Sequence, residues 1–180
     1  MTEILAPPLA SATGPEPGFA ALLESQKGVL YKVAYVYCRD PEDRRDLIQE
    51  MAFQLWRAWG RFDGRSSAAT WTWRVATNVA ISFRRHEGRR IRDTLPIELG
   101  LEVADGGFDA DDRHSRILRA LIDDLDELSR ALILLYLEGY DHAEIAEILG
   151  TSPSNVGTRL GRIRNKLKTQ ANLQGDGPND

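Results

Sequence analysis

The stretch GYDHAEIAEILGTSPSNVGTRLGRIRNKLK, residues 139–168, decides the fold. Just before it, Leu128, Leu132, Leu135 and Tyr136 lay an apolar stripe along a helix that Gly139 stops. Asp141 then caps a short helix, and Glu144 stands three residues on, where it completes a capping box. Ile145, Ile148 and Leu149 give that helix one apolar face, and Gly150 supplies a left-handed stop. Ser152 caps a further helix whose first position is Pro153, where a missing N–H costs nothing. Val156, Leu160, Ile163 and Leu167 recur at helical spacing and are expected to face inward. Ser154, Asn155, Thr158, Arg159, Arg162, Asn165 and Lys166 fall on the opposite side. Short polar groups come first and cations later, the order a major groove demands: base edges, then phosphates. The pattern is a helix-turn-helix.

Charge separates a DNA-binding helix from a merely solvated one. Residues 153–168 hold five Arg or Lys and no acid, within a chain of formal charge −4. A solvated face in an acidic protein more often mixes signs. The pI near 5.5 argues against a general nucleic-acid coat, so DNA contact must come from local patches or with a larger partner.

Working outward, strand signals are absent, and the expected fold is all-α: two small helical domains joined by a flexible acidic linker. Residues 1–17 are rich in Pro, Ala, Ser and Thr and read as a disordered tail. Residues 18–92 form a first helical domain. In it, Asp40-Pro41-Glu42-Asp43 is a helix start with cap, proline and dipole-compensating acids. That helix carries Leu47, Ile48, Met51, Leu55, Trp56 and Trp59 on one face until Gly60 breaks it. Another helix, from about Ala68 to His86, is expected to bury Trp71, Val75, Val79 and Phe83. Residues 93–112 contain seven acids and no Lys or Arg; this is the linker, with a reach of at most about 65 Å. Residues 113–168 form the helix-turn-helix domain, and 169–180 a polar tail read as disordered.

The Ala68–His86 helix offers a second nucleic-acid surface. Trp73, Asn78 and the cluster Arg74, Arg84, Arg85, Arg89, Arg90 and Arg92 mix an aromatic, an amide and cations. Aromatics stack on unpaired bases, and an amide pairs with a base edge. The segment from Phe62 to Ser67 is either a plain connection or the rim of a pocket for a flipped base. No apolar run approaches the length of a membrane span, and no secretory signal is evident, so no membrane insertion is expected. Cys38, beside Tyr35 and Val36, reads as a core thiol. The three histidines lie far apart, so no metal site is expected, and no cofactor or catalytic group is evident.

This arrangement resembles the sigma-70 family of bacterial RNA polymerase initiation factors, in its compact extracytoplasmic-function (ECF) group. Asp46-Leu47-Ile48-Gln49-Glu50, Phe53 and Leu55-Trp56-Arg57 are similar to the family's polymerase-binding helix. Thr70-Trp71, Arg74-Val75-Ala76 and Asn78-Val79-Ala80 are similar to the helix that reads the −10 element. Residues 144–150, with Val156, Arg159-Leu160 and Arg162-Ile163-Arg164, are similar to the helix-turn-helix that reads the −35 element. The resemblance implies a non-enzymatic, cytoplasmic, nucleoid-associated factor. Its partners would be core RNA polymerase, promoter DNA (duplex at −35, single-stranded at −10) and an anti-sigma factor. It implies polymerase contacts by Asp46, Gln49, Glu50 and Phe53, and −10 contacts by Phe62, Trp73, Arg74, Asn78, Arg84 and Arg85. At −35 the contacts expected are Ser154, Asn155, Thr158, Arg159, Arg162 and Lys166, and position along the capped helix suggests that Arg159 reads bases and Arg162 holds phosphate. Departures from the pattern are Arg44, Arg45, Ser82, Gly157 and Gly161. The alternatives are a stand-alone helix-turn-helix regulator and a sigma-like decoy that binds an anti-sigma factor without touching DNA. The acidic linker is either a nucleic-acid mimic or a solvated spacer.

Overall fold

A computed structural model of the protein describes residues 17–85 and 122–175. The acidic linker, the arginines from Arg89 to Arg92 and residues 113–121 of the helix-turn-helix domain lie outside the described residues. Among the described residues there are six helices and no strand. They are α1 (Pro17–Tyr37), α2 (Pro41–Trp59), α3 (Ala68–Arg85), α4 (Glu127–Leu137), α5 (His142–Leu149) and α6 (Pro153–Gly175).

The first three pack pairwise into one group. On α1, Phe19, Leu22, Leu23, Leu30, Val33, Ala34 and Tyr37 fall on one buried face at helical spacing. From α2, Leu47, Ile48, Met51, Ala52 and Leu55 meet them. The Asp40 carboxylate accepts the backbone N–H groups of Glu42 and Asp43, satisfying donors that α2 cannot pair internally. Cys38 is buried, as its neighbours implied.

The buried face of α3 differs from the expected one. Thr72, Trp73, Ala76, Thr77 and Ala80 are buried, whereas Trp71, Val75, Val79 and Phe83 are half-buried. The inward face is set about one residue further on, because Ala76 and Ala80 let the backbone approach α1 and α2 closely. Trp71 instead packs across the surface on Phe62 and Trp59, at centroid distances of 5.0 and 6.4 Å. Trp73 is only 2% exposed. The expectation that it stacks on a base is therefore corrected: in this structure no face of its ring is open.

The second group is built as its local signals dictate. Asp141 accepts from the Ala143 and Glu144 N–H groups, and Glu144 Oε2 accepts from the Asp141 N–H at 2.8 Å. Gly150 ends α5 at φ 64°, the left-handed region where a side chain would be strained. Ser152 Oγ accepts from the Asn155 N–H at 3.2 Å at the start of α6. Val156, Leu160 and Ile163 are buried against Ile145 and Ile148 within the core. Tyr136, expected on the inward stripe of α4, is 41% exposed. The α6 helix continues to Gly175, past the end expected at Lys168, and the Thr169 hydroxyl donates to the Asn165 carbonyl there. No proline or glycine lies between Gly161 and Gly175 to stop it.

Replacing Asp141 by Ala removes two accepted hydrogen bonds and leaves only the one from the residue-141 backbone N–H to Glu144. The expected loss is about 1 kcal/mol of stability, seen as a lower urea midpoint at unchanged slope. A midpoint equal to wild type would show that the box does not hold α5.

Candidate nucleic-acid interface

Three surfaces carry the residues singled out from the sequence. On α6, Ser154, Thr158, Arg162 and Asn165 are exposed and recur at spacings of three and four, so they share one outward face. Their common direction is opposite to Val156, Leu160 and Ile163, which bury. The other three predicted residues of this helix lie on its flanks. Asn155 Nδ2 donates to Thr151 Oγ1 at 3.0 Å. Arg159 Nη1 stands 3.8 Å from Asp126 Oδ1. Lys166 Nζ donates to the Asp124 carbonyl.

Asp126 is the N-cap of α4, and its carboxylate also accepts from the Ser129 N–H and hydroxyl. Partial burial works against its charge, but the Ser129 hydrogen bonds and the Arg159 cation outweigh that and hold its carboxyl below the usual range. It is therefore a fixed anion beside Arg159. The sequence reading did not include Asp126, although Asp126 followed by Ser129 is itself a legible cap signal. On the other flank, a Cβ on Gly157 would sit 3.7 Å from the His142 ring. The imidazole thus lies over the space that Gly157 leaves.

The second surface lies along α3. Arg74, Asn78, Ser82 and Arg85 recur on one side, with Asn78, Ser82 and Arg85 exposed. Arg84 projects about a third of a turn away from that stripe. At the N-terminal end, Phe62 stacks on Trp59 at 5.7 Å and leans on Trp71. Half-buried Phe62 thus has part of its ring in solvent and a rigid aromatic base beneath it. The loop after it turns at Gly64, φ 71°, and Asp63 Oδ1 accepts the Arg65 N–H. Arg74 is engaged across the molecule, by Glu147 Oε1 and the Glu147 carbonyl, each at 3.2 Å.

The third surface is on α2. Asp46 and Gln49 are exposed, and Glu50 and Phe53 half-buried, on the side away from Leu47, Ile48 and Leu55. Gln54 Nε2 donates to Glu50 Oε1 at 2.7 Å, and the Arg57 guanidinium covers the Phe53 ring at 5.7 Å. The patch is acidic at one end and aromatic at the other. No described helix is long and apolar enough to cross a membrane. Among the described residues, no group of acidic, His or Cys side chains is placed to hold a metal.

The arrangement has clear relatives. Residues 22–90 match the family model for Sigma-70 region 2, and residues 115–167 match that for Sigma-70, region 4. The chain is 30% identical over 196 residues to the ECF RNA polymerase sigma factor SigG of Mycobacterium tuberculosis, an alignment covering 89% of this chain and 52% of SigG. It therefore spans about half the length of that relative. To ECF RNA polymerase sigma factor SigX of Bacillus subtilis it is 29% identical, covering 88% of this chain and 86% of SigX. In fold it is similar to the sigma factor RpoE solved in complex with the anti-sigma factor NepR from Bartonella quintana. That match has a TM-score of 0.64 and 22% identity, and covers 90% of this chain and all of RpoE. CnrH, solved with the cytosolic domain of CnrY, gives a TM-score of 0.59 at 24% identity, covering 88% of this chain and 89% of CnrH. The two region models lie in the expected order and together take up most of the chain, which belongs to the sigma-70 family, in its ECF group.

Proposed function

We propose that the chain is a transcription initiation factor: it binds core RNA polymerase, directs it to particular promoters and stabilises their melted form, with no catalytic chemistry of its own. The observation that carries this reading is the pairing of two DNA-suited faces in one chain. The outward face of α6 suits a duplex groove, and the Arg74–Asn78–Arg85 stripe beside Phe62 suits separated strands. A stand-alone duplex regulator has no use for the second.

Residues 18–92 form the polymerase- and −10-binding domain, residues 113–168 the −35-binding domain, and residues 93–112 the link. The factor works in the cytoplasm at the nucleoid. An anti-sigma factor is its regulatory partner, as NepR is for RpoE. Extruding a base costs a few kcal/mol, and each stacked base returns about 1–3 kcal/mol, so binding the open strand shifts melting without ATP. On α6, Arg162 points outward to base edges, while Arg159, held beside Asp126, and Lys166 serve phosphates. This exchanges the roles that chain position alone had suggested for the two arginines. Reconstitution with core polymerase, followed by sequencing of transcript starts on genomic DNA, tests the whole reading. Random starts would discard it, and tight core binding without starts would favour the decoy.

Three variants test its parts. Reversing Asp46 and Glu50 to Lys is expected to weaken core binding at least tenfold while circular dichroism stays unchanged; undiminished pull-down would remove α2 from the interface. Asn78→Ala is expected to slow open-complex formation on duplex promoters and to matter less on a pre-melted bubble. Equal defects on both templates would point to folding rather than base capture. Arg162→Ala is expected to relax upstream specificity at a cost of roughly 1–3 kcal/mol. Arg159→Ala should weaken all templates alike and lower the salt slope by about one. Holoenzyme binding to intact and scrambled upstream elements across a salt series separates the two patterns, and the reverse assignment would follow if they came out exchanged.

A further inference from the structure

The outward stripe of α3, Arg74, Asn78, Ser82 and Arg85, carries a cation at each end, and the two are placed differently. Arg74 is held inside the chain, by Glu147 Oε1 and the Glu147 carbonyl at 3.2 Å each. Arg85, exposed in the last turn of the helix, pairs with no carboxylate among the described residues. Acids do hold arginines elsewhere in the structure. Asp123 holds Arg39 and Arg130, Asp63 holds Arg65, and Asp126 stands beside Arg159.

On a helix, the groups that reach Arg85 from its N-terminal side stand three and four residues before it. These are Ser82 and Ile81, and neither carries charge. The same spacing does close an ion pair on α1, where Glu24 meets Lys27 three residues on. Ser82 is a departure from the family's pattern, and base capture leaves it without a part. An acid in its place would have its Cβ about 5–6 Å from that of Arg85 and would take up much of the cation's charge. We infer that Ser82 is a positioning residue: by keeping the turn before Arg85 uncharged, it leaves that guanidinium free to bind a backbone phosphate of the promoter.

The inference rests on the proposed function and adds a division of tasks along α3. Asn78 and Arg85 are separated by about 10 Å of helix, so amide and guanidinium meet different nucleotides. An amide suits a base edge, whereas a guanidinium gives paired, charge-assisted hydrogen bonds to phosphate oxygens. With Arg74 bound to Glu147, the electrostatic share of binding on this stripe falls to its C-terminal end. A cation in a last turn also steadies the helix end through its dipole, a role that phosphate binding must be separated from.

The test uses holoenzyme assembled from core RNA polymerase and the full chain as wild type, Arg85→Ala, Ser82→Asp and Ser82→Ala. The probes are a promoter taken from the mapped transcript starts with its −10 element pre-melted, and the same promoter kept cold and fully paired. Each is titrated across a salt series, and melting of the free chains is followed by circular dichroism. Arg85→Ala and Ser82→Asp should each weaken binding about three- to tenfold and lower the salt slope by about 0.7 on a separated strand or about 0.9 on duplex. Ser82→Ala should bind as wild type, because the turn stays uncharged. A loss confined to the pre-melted probe puts the phosphate on the separated strand, and a loss on both puts it on the flanking duplex; either bears the inference out. An unchanged slope in Arg85→Ala would overturn it, and a lower melting temperature would then assign Arg85 to the helix end. Ser82→Asp binding like wild type, or Ser82→Ala losing as much as Ser82→Asp, would overturn the part given to Ser82. Wild-type holoenzyme that binds neither probe would instead strike the proposed function, and this inference with it.

Discussion

The helix-turn-helix geometry depends on a constraint of length. An eight-residue helix such as α5 is far too short to persist in water alone, because the cost of its first turn is spread over too few hydrogen bonds. It exists because Ile145 and Ile148 are buried in the shared core and the Asp141–Glu144 box closes its start. With Gly150 fixed in the left-handed region, the chain then leaves α5 in one direction only. That direction sets the position of α6, and with it which α6 residues face outward. The outward display of Ser154, Thr158 and Arg162 is thus a consequence of two local devices and two isoleucines.

Those devices were legible because each is encoded within a few residues of itself. Caps, a proline at a first helical position and a glycine stop need no distant partner to be read. The same holds for the Asp40–Pro41 start of α2. The inward face of α3 was not legible in this way. Trp71 and Trp73 are both large, and a stripe through either fits helical spacing if bulk is taken as the signal. What decides between them is the shape of the neighbours: Ala76 and Ala80 allow close packing, and Phe62 with Trp59 makes a place for Trp71. Tyr140, which closes over Trp73, is remote in sequence and invisible to any local pattern.

Charge shows the same division. A count of cations marks α6 as a nucleic-acid helix, but it does not say which cation points where. Arg159 and Arg162 are three residues apart, and chain order alone suggested that the earlier one reads bases. The Asp126 carboxylate, from another helix, draws Arg159 to the flank and leaves Arg162 outward. Arg74 illustrates this across a longer range. Its neighbours in sequence speak only of nucleic acid, whereas the structure gives it an internal anion first. Under the proposed reading, DNA would compete with Glu147 for Arg74 and with Asp126 for Arg159.

The two glycines of α6 show how far packing accounts for this sequence. Each interior glycine weakens a helix by roughly 1 kcal/mol relative to alanine. Nothing lies within 4 Å of a Cβ placed on Gly161, and on Gly157 such an atom would make only ordinary contact with the His142 ring. Neither glycine is demanded by a turn, a positive φ or a crowded neighbour. They stand four residues apart, on the flank between the outward face and α5. There the missing side chains lower the surface of the helix and leave its backbone nearer to whatever docks on it. Under the proposed reading, that surface would give up side-chain contacts on one flank for a closer approach to the groove, and specificity would fall to the few outward groups that remain.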